Sequence, residues 1–212
     1  YLILITQISS IHYLEKKNNL KKILLVGLST AMLLQSVAFA QPVTDFRFKS
    51  DYNVTLEGYG DSEDVGSGEN ITRVQLANLL YRTFSDETKA SYFQNVNTFT
   101  DTDKDAWYND AVSTLANANV LYGYRCGKFK PDKNVKRAEL VAILSRFISY
   151  DDYEDNCTYT DINGHWCEND VKRAYSEGWI NTETDKFGPE DIVTREEAIN
   201  TINSFLDYVN DI

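Results

Sequence analysis

Residues 99–112 read F-T-D-T-D-K-D-A-W-Y-N-D-A-V, residues 120–131 read V-L-Y-G-Y-R-C-G-K-F-K-P, and residues 135–147 read V-K-R-A-E-L-V-A-I-L-S-R-F. In the first part Trp107, Ala111, Val112, Leu115 and Ala116 recur at helical spacing. In the last part Leu140, Ile143, Leu144 and Phe147 do the same. Gly123 and Pro131 lie between them, and a proline there cannot continue a helix. The stretch therefore predicts a helix, a loop and a second helix.

The same grammar recurs on either side. Arg73 in I-T-R-V-Q, Arg137 in V-K-R-A-E and Arg195 in V-T-R-E-E are 64 and 58 residues apart. Phe129 and Phe187 each precede their arginine by 8 residues, and Pro131 and Pro189 by 6. Trp107 and Trp166 precede it by 30 and 29, and Asp101 and Asp161 follow an aromatic-Thr pair upstream of their tryptophans. Gly123 and Asn181 each lie 14 before their arginine; both residue types tolerate positive φ, so one shared left-handed position is expected there. The first copy is degenerate. It has Gly58-Tyr59 and a second helix, with Leu76, Leu79, Leu80 and Phe84 as its stripe, but no tryptophan upstream.

Thr72 with Gln75 and Thr194 with Glu197 fit a capping box. The middle copy has Lys136 at the capping position, which predicts a cap weaker by about 1 kcal/mol. An arginine in the first turn opposes the helix dipole, so local stability does not ask for it. Beside free helix-start N–H groups it would form an anion pocket. Three arginines in phase with tryptophan and glycine favour a site over three unrelated surface charges. One helix pair cannot bury these stripes, whereas three second helices packed together can.

The 212 residues carry a formal charge of -11. Four of 21 basic and one of 32 acidic residues lie before residue 41, leaving 17 minus 31, or -14, from Gln41 onward. That balance excludes a phosphate-backbone binder, so no nucleic acid partner is expected. It also disfavours docking to anionic lipid. Lys16, Lys17, Lys21 and Lys22, the apolar run from Ile23 to Leu34 and Ala38-Phe39-Ala40 form the three parts of a secretory signal. Gly27, Ser29, Thr30, Gln35 and Ser36 interrupt a membrane span, so no membrane insertion is expected after cleavage near Gln41. Residues 1–13 read as upstream sequence, with initiation near Leu14.

Secretion places Cys126, Cys157 and Cys167 in an oxidising space. The count is odd, and Cys157 with Cys167 is the preferred disulfide. Cys157, His165 and Cys167 lack a fourth ligand and a standard metal spacing, so no metal is assigned. Asp101, Asp103 and Asp105 resemble the start of a calcium loop, but Ala106 and Val112 stand where such a loop needs Gly and Glu.

The pattern F-x-D, W, A-V, G-x-x-x-G-x-F-x-P and R-A-E, carried by Phe99, Asp101, Trp107, Ala111, Gly123, Gly127, Phe129, Pro131, Arg137 and Glu139, resembles S-layer homology repeats. The resemblance covers about residues 55–208. It implies an all-α fold of three helix–loop–helix repeats in a pseudo-threefold arrangement around a central three-helix bundle. The expected boundaries are residues 1–40 for the upstream segment and signal, 41–90, 91–150 and 151–212 for the repeats. It implies a protein secreted to the bacterial cell wall or surface layer. There it would anchor non-covalently by binding a pyruvylated, anionic secondary cell wall polysaccharide, with peptidoglycan-associated glycans as further partners. The ligand-binding residues carried over are Arg73, Asp101, Trp107, Gly123, Arg137, Asp161, Trp166 and Arg195. No cofactor is implied. The single histidine after residue 40, and the lack of a nucleophile elbow or phosphate loop, argue against an enzyme. The alternatives are a structural or accessory protein making protein contacts in the envelope, and a terminal fragment of a larger anchored enzyme.

Overall fold

The computed structural model describes residues 46–49, 54, 66, 68–148, 153–181 and 184–211. The expected signal segment, Gly58-Tyr59 and part of the acidic 151–155 run lie outside the described residues. Those described form six α-helices and no strand, an all-α fold: α1 Arg73–Thr83, α2 Asp86–Tyr92, α3 Asn109–Asn117, α4 Arg137–Ser145, α5 Glu168–Ser176 and α6 Arg195–Asp211. The second helices of the three copies are α1, α4 and α6, and each begins at its motif arginine.

What joins the copies is backbone. Ile71 N–H donates to Val193 O at 3.1 Å, Val193 N–H to Val135 O at 3.0 Å, and Val135 N–H to Ile71 O at 3.0 Å. This closed ring places the residue two before each arginine against its two counterparts, and all three side chains are fully buried. Bridges Asn70–Thr194, Thr72–Asn134 and Lys136–Ile192 flank it. A second set repeats the cycle one step on: Arg73 N–H to Lys133 O, Arg137 N–H to Asp191 O, and Arg195 N–H to Glu69 O, at 2.8–2.9 Å. Val74 N–H and Ala138 N–H donate to Pro131 O and Pro189 O. These are the first amides of helices, which have no partner inside the helix. The expectation that they would stay free to line an anion pocket is corrected: a buried amide needs an acceptor, and the neighbouring copy supplies one.

Far from the ring the second helices meet through aromatic rings. Phe84, Phe147 and Phe205 lie 11, 10 and 10 residues after their arginines. Phe48, which precedes α1 in the chain, sits 5.9, 5.4 and 5.9 Å from them, centroid to centroid. Phe46 stacks on Phe84 and Tyr92 at 5.4 and 4.9 Å. Nothing in the repeat grammar marks Phe46 or Phe48. The helix α2 was likewise not anticipated. Ser85 caps it, and Thr88 exchanges hydrogen bonds with the Arg47 backbone, 2.8 Å as acceptor and 2.9 Å as donor.

The two helices of one copy are not each other's main partners. Instead α1 packs on α3, α4 on α5, α2 on α3 and α4 on α6. The intervening stretch is long and apolar enough to run between them, burying Val120, Leu121, Phe129 and Val135. Its shape depends on one aspartate per copy. Asp101 accepts from Phe129 N–H and Lys130 N–H at 2.7 and 2.9 Å, and Asp161 from Phe187 N–H and Gly188 N–H at 2.8 Å each.

Two local expectations resolve differently. Gly123 is not left-handed; a Cβ there would lie 2.6 Å from the Phe99 ring and 2.9 Å from Lys128 O, so close approach explains the glycine. The left-handed Gly/Asn pair is Asn119 (φ 60°) and Gly178 (φ 82°), just past α3 and α5, where a helix commonly ends in that conformation. The capping box of α1 is complete, with Thr72 N–H to Gln75 at 2.9 Å and Gln75 N–H to Thr72 at 3.4 Å. At α4 only the reverse half survives, Lys136 N–H to Glu139 at 3.1 Å.

Phe48→Ala is expected to lower stability by about 2–3 kcal/mol, below the full cost of a core Phe→Ala because Phe48 is half-buried, read as the urea midpoint. Burial raises the Glu139 and Asp161 carboxyls, but the hydrogen bonds they accept outweigh it and hold both below their ordinary values. A depressed folded value means stability present above the unfolded values of 4.5 and 3.8 and lost as pH falls through the lower folded ones. Thermal melts should therefore be flat near neutrality and decline below about pH 4.5. Asp161→Asn should flatten part of that decline.

Candidate functional site

A groove of about 390 Å³ is lined by Arg73, Tyr122, Gly123, Tyr124, Lys133, Lys136, Glu139, Ala142, Ile143, Arg146, Trp166 and Glu190. It gathers the motif arginine of the first copy, the motif glycine of the second and the motif tryptophan of the third. Along the sequence these three residue types are stations of one repeat pattern, and the cyclic backbone pairing brings together one from each copy.

Arg73 is 5 % exposed and lies between the rings of Tyr124 and Phe129, at 4.9 and 4.8 Å. Its Nε donates to Phe129 O and its Nη2 to Tyr122 O, both at 2.8 Å. These acceptors are carbonyls, so the positive charge is oriented but not neutralised. Trp166 is 60 % exposed and lines the same groove. Four cations, Arg73, Lys133, Lys136 and Arg146, face two carboxylates, Glu139 and Glu190, for a lining charge of 4 minus 2, or +2. Glu139 accepts from Tyr124 Oη at 2.7 Å and from Lys133 Nζ at 3.2 Å. Glu190 holds Lys136 Nζ and lies 3.2 Å from His165 Nε2.

The corresponding groove one copy on differs. It measures about 400 Å³ and contains Arg137, Asn181, Trp179, Glu196 and Glu197, with a lining charge of 1 minus 2, or -1. Arg137 donates to Phe187 O at 2.6 Å and also to Glu197 at 2.5 Å and Asp191 at 3.0 Å. Burial would lower the guanidinium's pKa, but these two carboxylates raise it above the ordinary value. The charge that opposes them is thereby spent inside the protein. Glu197 in turn does not close its own capping box, which keeps only Glu197 N–H to Thr194 at 3.1 Å.

The remaining expected residues fall elsewhere. Asp101 and Asp161 line separate shallow grooves, and both oxygens of each already accept backbone N–H groups. Trp107 is 72 % exposed and is not among the residues lining the Arg73 groove. Arg195 donates its backbone N–H to Glu69 O. Cys157 and Cys167, the expected disulfide pair, are free thiols, as is the exposed Cys126. Cys167 is fully buried, with Sγ 2.9 Å from His165 Nδ1 rather than bonded to Cys157. Cys167, His165 and Glu190 form a row that looks like a nucleophile and its base. Burial, then the charge of Asp170, pushes the thiol up to about 12, so it stays protonated and unreactive. Among the described residues no group of His, Cys, Asp and Glu could hold a metal ion, and no helix is long and apolar enough to cross a membrane.

The groove residues missed from sequence are Lys133, Lys136, Arg146, Tyr122, Tyr124 and Glu190. One signal was visible: Lys136 is the departure from threonine at the capping position.

The S-layer homology domain family matches residues 98–141 and 158–199. Endo-1,4-beta-xylanase A of Thermoanaerobacterium saccharolyticum is 33% identical over 95 residues, which is 44% of this chain and 8% of the xylanase. The cellulosome-anchoring protein of Acetivibrio thermocellus is 28% identical over 145 residues, 65% of this chain and 32% of that protein. The surface layer protein of Brevibacillus choshinensis is 31% identical over 96 residues, 45% of this chain and 8% of that protein. The chain spans only a small share of each relative's length, so the xylanase name describes a protein it matches over 8%. Residues 98–141 and 158–199 therefore read as two S-layer homology repeats, the part of the chain that this family describes.

Proposed function

We propose that this chain anchors to the bacterial cell surface by binding an anionic, pyruvylated cell wall polysaccharide in the Arg73 groove. The observation that carries the reading is the lining charge of +2 in a chain whose residues from Gln41 onward sum to -14. The diffuse field of such a surface repels a polyanion, so an anionic ligand must be held by cations placed locally. Arg73 is fixed by two carbonyls and two rings, which lowers the entropy lost on gripping a carboxylate. The exposed Trp166 offers a flat face to a sugar ring. The relatives named as cellulosome-anchoring and surface layer proteins support the surface role. The polymer would be a partner bound stoichiometrically and not a substrate. The placement is cell wall and surface layer.

Sedimentation with purified walls, before and after removal of the pyruvylated polymer, tests this. Co-sedimentation is expected with intact walls only. Equal pelleting with stripped walls would overturn the ligand. Arg73→Gln is expected to weaken binding by about 1.5–3 kcal/mol, the scale of one charge-assisted hydrogen bond. Because Arg73 also holds the loop, its melting temperature is measured alongside. Trp166→Ala removes an exposed ring; it should weaken binding about fivefold with little change in melting. Arg137→Gln should do the reverse, lowering the melting temperature and leaving affinity near that of the unaltered chain, because its charge is already matched by Glu197 and Asp191.

A further inference from the structure

Lys136 is the residue that breaks the capping pattern. Its counterparts Thr72 and Thr194 each accept a backbone N–H at their helix start, and Lys136 makes no such side-chain bond. Lysine has no acceptor to offer there, so the substitution costs α4 half of its capping box. The same side chain instead brings a cation into the Arg73 groove. It does not stand alone there: Glu190, from the loop after Pro189 in the third copy, holds Lys136 Nζ with one oxygen and approaches His165 Nε2 at 3.2 Å with the other. Glu190 is 59 % exposed and lines the same groove as Trp166 and Arg73. A carboxylate of the chain thus occupies the position that a ligand carboxylate would need in order to reach Lys136.

We propose that Lys136 is a ligand-binding cation of this groove, held by Glu190 until an anionic sugar displaces that carboxylate, and that Glu190 thereby sets how strongly charged a ligand must be to bind. This rests on the reading of the groove as the anion site. Displacement exchanges one exposed ion pair for another. A neutral glycan gains nothing from the exchange, because it offers Lys136 no charge to replace that of Glu190. A ligand whose carboxylate reaches Lys136 while another part of it is gripped by Arg73 gains the second contact at little further entropic cost. Freeing Lys136 from Glu190 would raise the lining charge by one and relax that demand.

Titration calorimetry with a pyruvate-ketal hexosamine methyl glycoside, and with the same sugar lacking pyruvate, tests the idea at low and moderate salt. Lys136→Thr restores the threonine of the other copies. It is expected to melt at a higher temperature and yet bind the pyruvylated sugar about fivefold more weakly, a combination that a purely structural lysine would not give. Glu190→Gln is expected to bind it about threefold more tightly, with the gain shrinking as salt screens the charge. In Lys136→Thr the Glu190→Gln gain should fall. If the unaltered chain binds the pyruvylated sugar and Arg73→Gln abolishes it, while Lys136→Thr and Glu190→Gln match the unaltered chain, the groove reading stands and this inference is overturned. Weaker binding by Glu190→Gln would also overturn it, showing Glu190 as a direct contact to the sugar. No binding by the unaltered chain would sink both.

Discussion

Three backbone amides, those of Ile71, Val135 and Val193, each donate to a carbonyl of the next member, so that three segments far apart in sequence close a ring. The remainder of the structure depends on this closure. The three side chains at its centre are fully buried, where an unpaired N–H would cost about 1–3 kcal/mol. Each copy therefore needs the next one in place before its own helix start is satisfied. The ring holds the starts of α1, α4 and α6 beside one another, and the next amides, those of Arg73, Arg137 and Arg195, repeat the cycle. A repeat isolated from its neighbours would leave two helix-start amides unpaired and an apolar stripe exposed.

The ring also decides what a motif residue does. Because the copies interlock cyclically, the arginine of one copy reaches the loop of the next: Arg73 meets the carbonyls of Tyr122 and Phe129, and Arg137 those of Phe187 and Gly188. Both arginines serve as loop clamps first. The aspartates complete each loop from the other side by accepting its backbone amides. The difference between the grooves lies in the carboxylates that surround the clamp. Glu197 and Asp191 neutralise Arg137, while Arg73 keeps its charge among carbonyls and aromatic faces. Equivalent motif residues thus arrive at unequal electrostatic outcomes.

The protein's acidity and its basic groove are compatible through range. At physiological salt, charges separated by more than about 8 Å are largely screened. A dispersed excess of carboxylates acts weakly at any one place. Lys133, Lys136, Arg146 and Arg73 act over contact distances within one groove. Glu139 and Glu190 temper them, and each of the two lysines has one of these carboxylates as its partner.

The sequence by itself determined the all-α class, the second helices and the residue at which each begins, the capping of α1, and the likeness to S-layer homology repeats, because each follows from spacing along one segment. The 3.6-residue period, the Thr-x-x-Gln cap and the proline after the loop are local, and local rules read them. Only the tertiary structure decided which copies lend residues to one groove. Arg73, Gly123 and Trp166 are separated by 50 and 43 residues, and no periodicity states that a motif is completed across copies rather than within one. It alone moved the left-handed position from Gly123 to Asn119 and Gly178, since a close approach by Phe99 leaves no mark in spacing. It alone placed Phe48 among Phe84, Phe147 and Phe205, and set Lys136 against Glu190. Those contacts come from long-range closure of the backbone ring, which a chain read in order cannot show.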